Sequence, residues 1–260
     1  MIRHRAGSGE PLLLLHGLGL TWRSWRPVLP ELERADDVVA MDLPGFGATP
    51  PLPRGSRPTV EALSDAIEGA LDEAGLDAVH VAGNSLGGWI AIELARRGRA
   101  RSVVALAPAG FELPPERAYV VSLNQTMRLR AMLAAPVARV AVARPAARTA
   151  LLAPTRSRPW RVSAEDAAEE VRAFACSRGF QPTLRWTVAV GAPAGLETVA
   201  VPVRICFGTR DVMLAPFTAP RYAAAIPGAG LRSLAACGHV PMADDPGRVA
   251  SAITEVTAAP

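Results

Sequence analysis

The residues best placed to do chemistry are Gly83-Asn84-Ser85-Leu86-Gly87, followed by Gly88. They stand between an apolar run, Ala78 to Ala82, that reads as a buried strand, and a helical stretch, Gly88 to Arg97, closed by Gly98. A strand that turns straight into a helix has room only for small residues beside the turning point. That accounts for Gly83, Gly87 and Gly88, and it holds the Ser85 hydroxyl above the sheet. The turn is also a helix N-terminus, whose free amides and positive dipole end favour developing negative charge. The arrangement suits nucleophilic attack on an acyl carbon.

A neutral serine needs a base with a pKa near neutrality, which is the role of histidine. Of the four histidines, His4 lies in an unpatterned N-terminal segment, His16 reads as the brace of a loop, and His80 sits inside a buried strand. His239 is left, in Cys237-Gly238-His239-Val240-Pro241, a loop on the sheet edge where the Ser85 turn also opens. Its imidazole requires a carboxylate on the far nitrogen. Asp211, in Gly208-Thr209-Arg210-Asp211 just beyond an apolar strand, meets that need. Asp244 and Asp245 read instead as the start of the final helix, where acidic groups favour the dipole. His16-Gly17-Leu18-Gly19 follows another strand, so the backbone N–H groups of Leu18 and Leu86 are expected to hold the oxyanion. Cys237 reads as a packing residue. Trp22 is expected to line the pocket, with Trp25 and Trp89 packing helices on the sheet.

These groups must be carried by a scaffold. Short apolar runs at Leu12 to Leu15, Val38 to Met41, Ala78 to Ala82, Val103 to Leu106 and Val201 to Phe207 alternate with helical patterns, which predicts a mainly parallel sheet in a doubly wound α/β fold. Thr59 to Ala74 shows the helical type, with Val60, Leu63, Ile67 and Leu71 on one face and Gly75 as its stop. The rhythm breaks between about Phe111 and Pro193. Helical patterns at Pro115 to Leu133 and from the N-cap candidate Ser163 to Ala175 predict a helical insertion there. It resumes with helices at Pro216 to Ala225 and near Asp245 to Val256, and a strand at Leu231 to Leu234. Residues 1–112 and 192–260 are thus assigned to a core and 113–191 to the insertion.

The 260 residues carry 28 basic and 24 acidic side chains, a formal charge of +4, and all the basic ones are arginine. The arginines are scattered, without the basic runs and interleaved aromatics of a nucleic-acid groove. Cys176, Cys206 and Cys237 show no C-x-x-C spacing, so neither a disulfide framework nor a metal site is expected, and a reducing cytoplasm fits. No run of about 18 apolar residues occurs, so no membrane partner is expected.

Taken together, the H-G-L-G loop, Asp42-Leu43-Pro44-Gly45-Phe46-Gly47, the G-N-S-L-G-G turn, G-T-R-D and C-G-H-V-P resemble the α/β-hydrolase superfamily, in family order from about Leu12 to Val256. The likeness is greatest to small capped esterases and to hydrolases of carbon–carbon bonds in ring-fission products. It implies an α/β-hydrolase fold with a helical cap over the core, the Ser, Asp, His order of a catalytic triad, and no cofactor. It weighs against the dehalogenase and epoxide hydrolase branch, which has Asp where this chain has Ser85. The expected reaction is hydrolysis of a carboxylic ester or related acyl bond of a small apolar molecule through an acyl-enzyme. Carbon–carbon hydrolysis, a lyase reaction or ligand binding without turnover are the alternatives. For a carboxylate-bearing substrate the resemblance calls for a cap arginine, and Arg185 beside Trp186 is the candidate. The N-terminus is short for the family, since residues 1–10 have room for only part of the usual antiparallel hairpin. Excision of the insertion is expected to leave the triad intact.

Overall fold

The computed structural model describes residues 1–214 and 218–258. Seven strands form one sheet: β1 (Ile2–Gly7), β2 (Glu10–Leu15), β3 (Asp36–Met41), β4 (Val79–Asn84), β5 (Ala100–Leu106), β6 (Val203–Gly208) and β7 (Gly230–Leu234). Their order across the sheet is β1-β3-β2-β4-β5-β6-β7, and only β1 runs antiparallel. The parallel strands are apolar on both faces because helices cover both. Leu13, Leu15, Val39, Met41, Val81 and Val103 face one layer, while Leu12, Leu14, Val38, Ala40, Ala82 and Val104 face the other. Such alternation follows from the two-residue period of a strand.

The first layer is built by α2 (Val60–Glu73) and α3 (Leu86–Arg96), with Leu63, Ile67, Leu71, Ile90 and Leu94 fully buried. Thr59 caps α2, its side chain accepting the Ala62 amide, and Gly75 leaves the helix with φ +70°. The second layer is α10 (Pro246–Thr257) with the single turn α1 (Leu29–Leu32). Between β6 and β7 runs α9 (Thr218–Ala225); the predicted start of this helix at Pro216 lies outside the described residues. Between β5 and β6 the described chain is helical, through α4 (Pro114–Ala134), α5 (Ala138–Ala141), α6 (Pro145–Leu152), α7 (Ala164–Cys176) and α8 (Phe180–Val190). Ser163 caps α7 by accepting the Asp166 amide.

The N-terminus supplies one antiparallel strand, as the short leading segment allows: residues 2–7 form the sheet edge and pair along the length of β3, from Ile2 opposite Met41 to Gly7 opposite Asp37. The turn into β2 crosses over the start of β3, so close that a β-carbon on Gly7 or Gly9 would collide with the Asp36 or Ala35 carbonyl. Both glycines also have positive φ. No helix among the described residues is long and apolar enough to cross a membrane.

His80 lies in β4 as the sequence suggests, buried, with Nδ1 2.7 Å from Ser102 Oγ. Burial, helped by the Arg101 charge, pushes its pKa below the ordinary histidine value, partly opposed by Glu10. The folded protein therefore resists a proton that the unfolded chain accepts below about pH 6.5. Stability should fall as the pH drops from about 7.5 to 5.5, and His80→Gln, which does not titrate, should show a smaller loss of Tm over that interval. An equal pH dependence in both proteins, followed by circular dichroism, would remove His80 from the account.

Candidate active site

Ser85 closes β4 and opens α3 with no connecting residue, and its backbone sits at φ 55°, ψ −114°, a region that L-residues rarely occupy. The strain is held by neighbours. Its N–H donates to Leu106 O at 2.9 Å, and its carbonyl accepts the Ala109 amide at 3.2 Å and the Trp89 amide at 3.1 Å. A β-carbon on Gly83 would collide with the Gly87 carbonyl, and one on Gly87 with the carbonyls of Leu15 and His16. A β-carbon on Gly17 would press on that of Ser85 at 3.2 Å. The glycines therefore allow α3, β2 and the 16–19 loop to meet around the serine.

His16 braces that loop, as its sequence position suggests. Its Nδ1 lies 2.8 Å from Gly17 O and its Nε2 accepts the Leu43 amide at 3.0 Å, which fixes the proton on Nδ1 and the ring as neutral. Complete burial lowers its pKa, against smaller opposing effects of the Gly17 carbonyl and Asp42. Among the described residues neither the Leu18 nor the Leu86 amide donates to a protein acceptor. Both residues line the cavity that contains Ser85 and His239.

Asp211 and His239 meet across 28 residues of sequence. Asp211 Oδ2 lies 2.8 Å from His239 Nδ1, and Oδ1 accepts the amides of Met213 at 2.7 Å and Leu214 at 3.1 Å. Burial alone would raise the Asp211 carboxyl, but the facing His239, the hydrogen bond to it and the two amides outweigh burial and hold it below the usual carboxylate range. The carboxylate is thus ionised and fixed in orientation at neutral pH. His239 itself is held from behind, its carbonyl accepting Asn84 Nδ2 at 2.9 Å. Cys237 is buried in the same loop, and burial with Asp244 and Asp245 nearby pushes its thiol up to about 11, so it is unreactive as a nucleophile.

Two expectations about this loop are corrected. Asp245 does cap α10, accepting the Arg248 amide, but Asp244 serves no helix. It is buried, and its carboxylate accepts the amides of Gly238 at 2.8 Å, Ser157 at 2.9 Å and Arg158 at 2.8 Å. It thereby joins the His239 loop to the stretch between α6 and α7. Val240 N donates to Thr155 O at 2.7 Å, Ser157 Oγ to Ala236 O at 2.5 Å, and Arg156 to Val240 O at 3.3 Å. Excising residues 113–191 would therefore remove the supports that Thr155 to Arg158 give the His239 loop and leave those from Asn84 and Asp211, so the triad would keep its members but lose part of its bracing.

The cavity is mainly apolar, lined by Trp89, Met127, Phe174, Leu184 and Met213, with Asn124, Arg117 and Thr155 among its polar groups. The tryptophans exchange their expected places. Trp89 lines the cavity, whereas Trp22 stacks on His4 at 5.5 Å beside β1; Trp25 is fully buried as expected. Arg185 is exposed and lies against Trp186, outside the cavity. Arg117 faces the cavity instead, its guanidinium on the carbonyls of Val188 and Glu112. Asn124 left a legible sign in the sequence, being the polar member of the inward stripe Val120, Asn124, Met127, Ala131. Asp244 left none, because its partners stand 86 and 87 residues away.

Residues 12–252 match the alpha/beta hydrolase family. An epoxide hydrolase of Mycobacterium tuberculosis is 34% identical over 204 residues, covering 74% of this chain and 92% of that protein. A 2-hydroxy-6-oxo-2,4-heptadienoate hydrolase of Pseudomonas putida is 40% identical over 117 residues, only 42% of either chain. In three dimensions, a meta-cleavage product hydrolase from Pseudomonas fluorescens aligns with a TM-score of 0.75 over 98% of this chain and 93% of that one; at 24% identity the likeness is one of fold.

The bonds of Asp244 give a test. An amide in its place turns N–H groups toward N–H donors, so Asp244→Asn should cost about 2 kcal/mol in urea unfolding, in line with hydrogen bonds to a buried charge. Asp245→Asn keeps a good N-cap and should change stability by less than about 0.5 kcal/mol. Equal effects of the two substitutions would contradict the bracing role of Asp244.

Proposed function

The chain belongs to the alpha/beta hydrolase family, and from that premise we propose that it is a serine hydrolase that cleaves the carboxylic ester, or a related acyl bond, of a small apolar substrate. The observation that carries this reading is that one cavity is lined both by a strained Ser85 at the start of α3 and by His239, whose Nδ1 is held by the ionised Asp211. Ser85 Oγ attacks the acyl carbon and passes its proton to His239 Nε2. Asp211 stabilises the imidazolium and keeps its orientation. The amides of Leu18 and Leu86, with the dipole of α3, receive the oxyanion. Collapse of the tetrahedral intermediate leaves the acyl group on Ser85, with the leaving oxygen taking the proton from His239. Water, deprotonated by the same histidine, releases the acid.

The insertion, residues 113–191, acts as a cap that shapes the substrate. Four of its helices or their flanks reach the cavity, through Met127, Thr155, Phe174 and Leu184. The largely aliphatic and aromatic lining favours an apolar acyl or alcohol group over a charged one. The name of the mycobacterial relative raises an epoxide as a second substrate class. Ser85 argues against it here, since an alkyl ether of serine, unlike an acyl ester, gives a base-activated water no carbonyl carbon to attack.

A fluorophosphonate should label the peptide that contains Ser85, and Ser85→Ala should abolish both labelling and hydrolysis of chromogenic esters. Labelling that persists in Ser85→Ala, or turnover of an epoxide with none of any ester, would overturn the assignment. Asp211→Asn should retain the fold yet lose about four orders of magnitude in kcat, because the amide favours the wrong imidazole tautomer. A loss of less than about tenfold in steady-state kinetics would show that another group orients His239.

A further inference from the structure

The outward surface of the insertion takes no part in the proposed reaction. On it Leu129, Met132, Leu133, Val137 and Val140 are between 51% and 78% exposed. The spacing of 129, 132 and 133 puts three of them on one face of α4, and Val137 and Val140 follow through the turn and α5. The opposite face of α4 carries Asn124 and Met127 into the cavity. One helix is thus apolar toward both the cavity and solvent, and the second stripe has no core to explain it.

The chain segment that carries this stripe has charge of a single sign. From Ala118 to Ser163 the chain contains eight arginines and no aspartate or glutamate. Acidic groups of the insertion lie at the start of α4, where Glu116 pairs with Arg221, and on α7, where Asp166, Glu169 and Glu170 meet Arg26, Arg23 and Arg156 and Glu165 shares a groove with Arg139. Arg130 and Arg144 are exposed, and neither pairs with a carboxylate among the described residues. Arg148 joins the backbone of Trp160, itself 49% exposed, to the Val142–Ala143 turn. Two copies related by a twofold axis would set like charge against like charge on this face. A nucleic acid would leave the aliphatic stripe without use. A surface that is anionic outside and hydrocarbon just beneath satisfies both features.

We propose that this face binds the surface of an anionic lipid bilayer, with the aliphatic stripe at the headgroup–acyl boundary and Arg130 and Arg144 on lipid phosphates. The mode is peripheral, so the expectation of no membrane partner, which rests on the lack of a spanning segment, is revised without invoking one. The proposal is independent of the reaction at Ser85.

Co-sedimentation of the intact chain with vesicles of equal parts phosphatidylglycerol and phosphatidylcholine, against phosphatidylcholine alone, tests it. Partition should be at least about tenfold stronger on the anionic vesicles and should weaken with added salt. Joint replacement Arg130→Gln and Arg144→Gln should reduce it by about 25-fold, some fivefold per arginine. Leu133→Asp with Val140→Asp should reduce it comparably, while both double variants keep the parent Tm. Ser85→Ala should bind as the parent does, so a failure of the hydrolase reading leaves this result untouched. Equal partition onto the two vesicle types, or none onto either, would overturn the proposal. So would a dimer in sedimentation velocity that Leu133→Asp dissociates without any effect on vesicles, which would assign the face to a second copy.

Discussion

Everything at the site follows from the absence of a linker between β4 and α3. Bringing a strand into a helix at one residue forces Ser85 into a backbone conformation that costs on the order of 1–3 kcal/mol. The cost is tolerable only because the surroundings leave no alternative. Leu106 and Ala109 fix the Ser85 backbone from one side, while Gly83, Gly87 and Gly17 allow α3, β2 and the 16–19 loop to close in from the others. The same geometry points the Asn84 side chain inward, where one amide nitrogen reaches both Leu106 O and His239 O. The turn that exposes Ser85 also locates the His239 loop.

The base is then fixed by contacts of unequal weight. Asp211 and Asp244 are buried carboxylates whose oxygens are met by backbone amides, bonds of about 1.5–3 kcal/mol each when charge-assisted. The ion pairs Arg23 with Glu169 and Arg26 with Asp166 also join the core to the insertion, but they stand partly in solvent and contribute about 0–1 kcal/mol apiece. Salt and side-chain entropy erode the second kind and leave the first unaffected. The insertion is therefore held to the core chiefly at residues 155–158.

Features legible in the sequence are those whose physical cause is local. The glycines around Ser85, the caps Thr59 and Ser163, the stop at Gly75 and the two-residue alternation of the strands each act within a few residues. Asp211 and His239 could be chosen because each stands just past a strand on the edge where the Ser85 turn opens. Asp244 could not be read correctly, since a carboxylate before a helix has the same local appearance whether it caps that helix or turns away to bind Ser157 and Arg158. The exchange of Trp22 and Trp89 and of Arg185 and Arg117 has a similar origin. Helical spacing tells which residues share a face but not which of two apolar faces turns inward. At the N-terminus, counting residues left room for one antiparallel strand, and β1 fills it because the crossing over β3 needs only Gly7, Ser8 and Gly9.

Dividing the chain at residues 113 and 191 would follow the path of the backbone and not the energy that holds it. Residues 113–191 leave the sheet after β5 and return before β6, and no strand pairing crosses that boundary. Yet Thr155 and Val240 share a hydrogen bond, and a β-carbon on Gly238 would press on the backbone of Arg156 and Ser157 at 2.9–3.0 Å. Phe174 packs so tightly on the 16–19 loop that Gly19 has no room for a side chain. Gly179 donates its amide to Gly45 O at 2.9 Å, beside the loop that His16 anchors through Leu43. The insertion thus touches the loops that carry His239 and Leu18. Neighbours joined this closely do not lose stability independently, so the geometry around Ser85 belongs to core and insertion together.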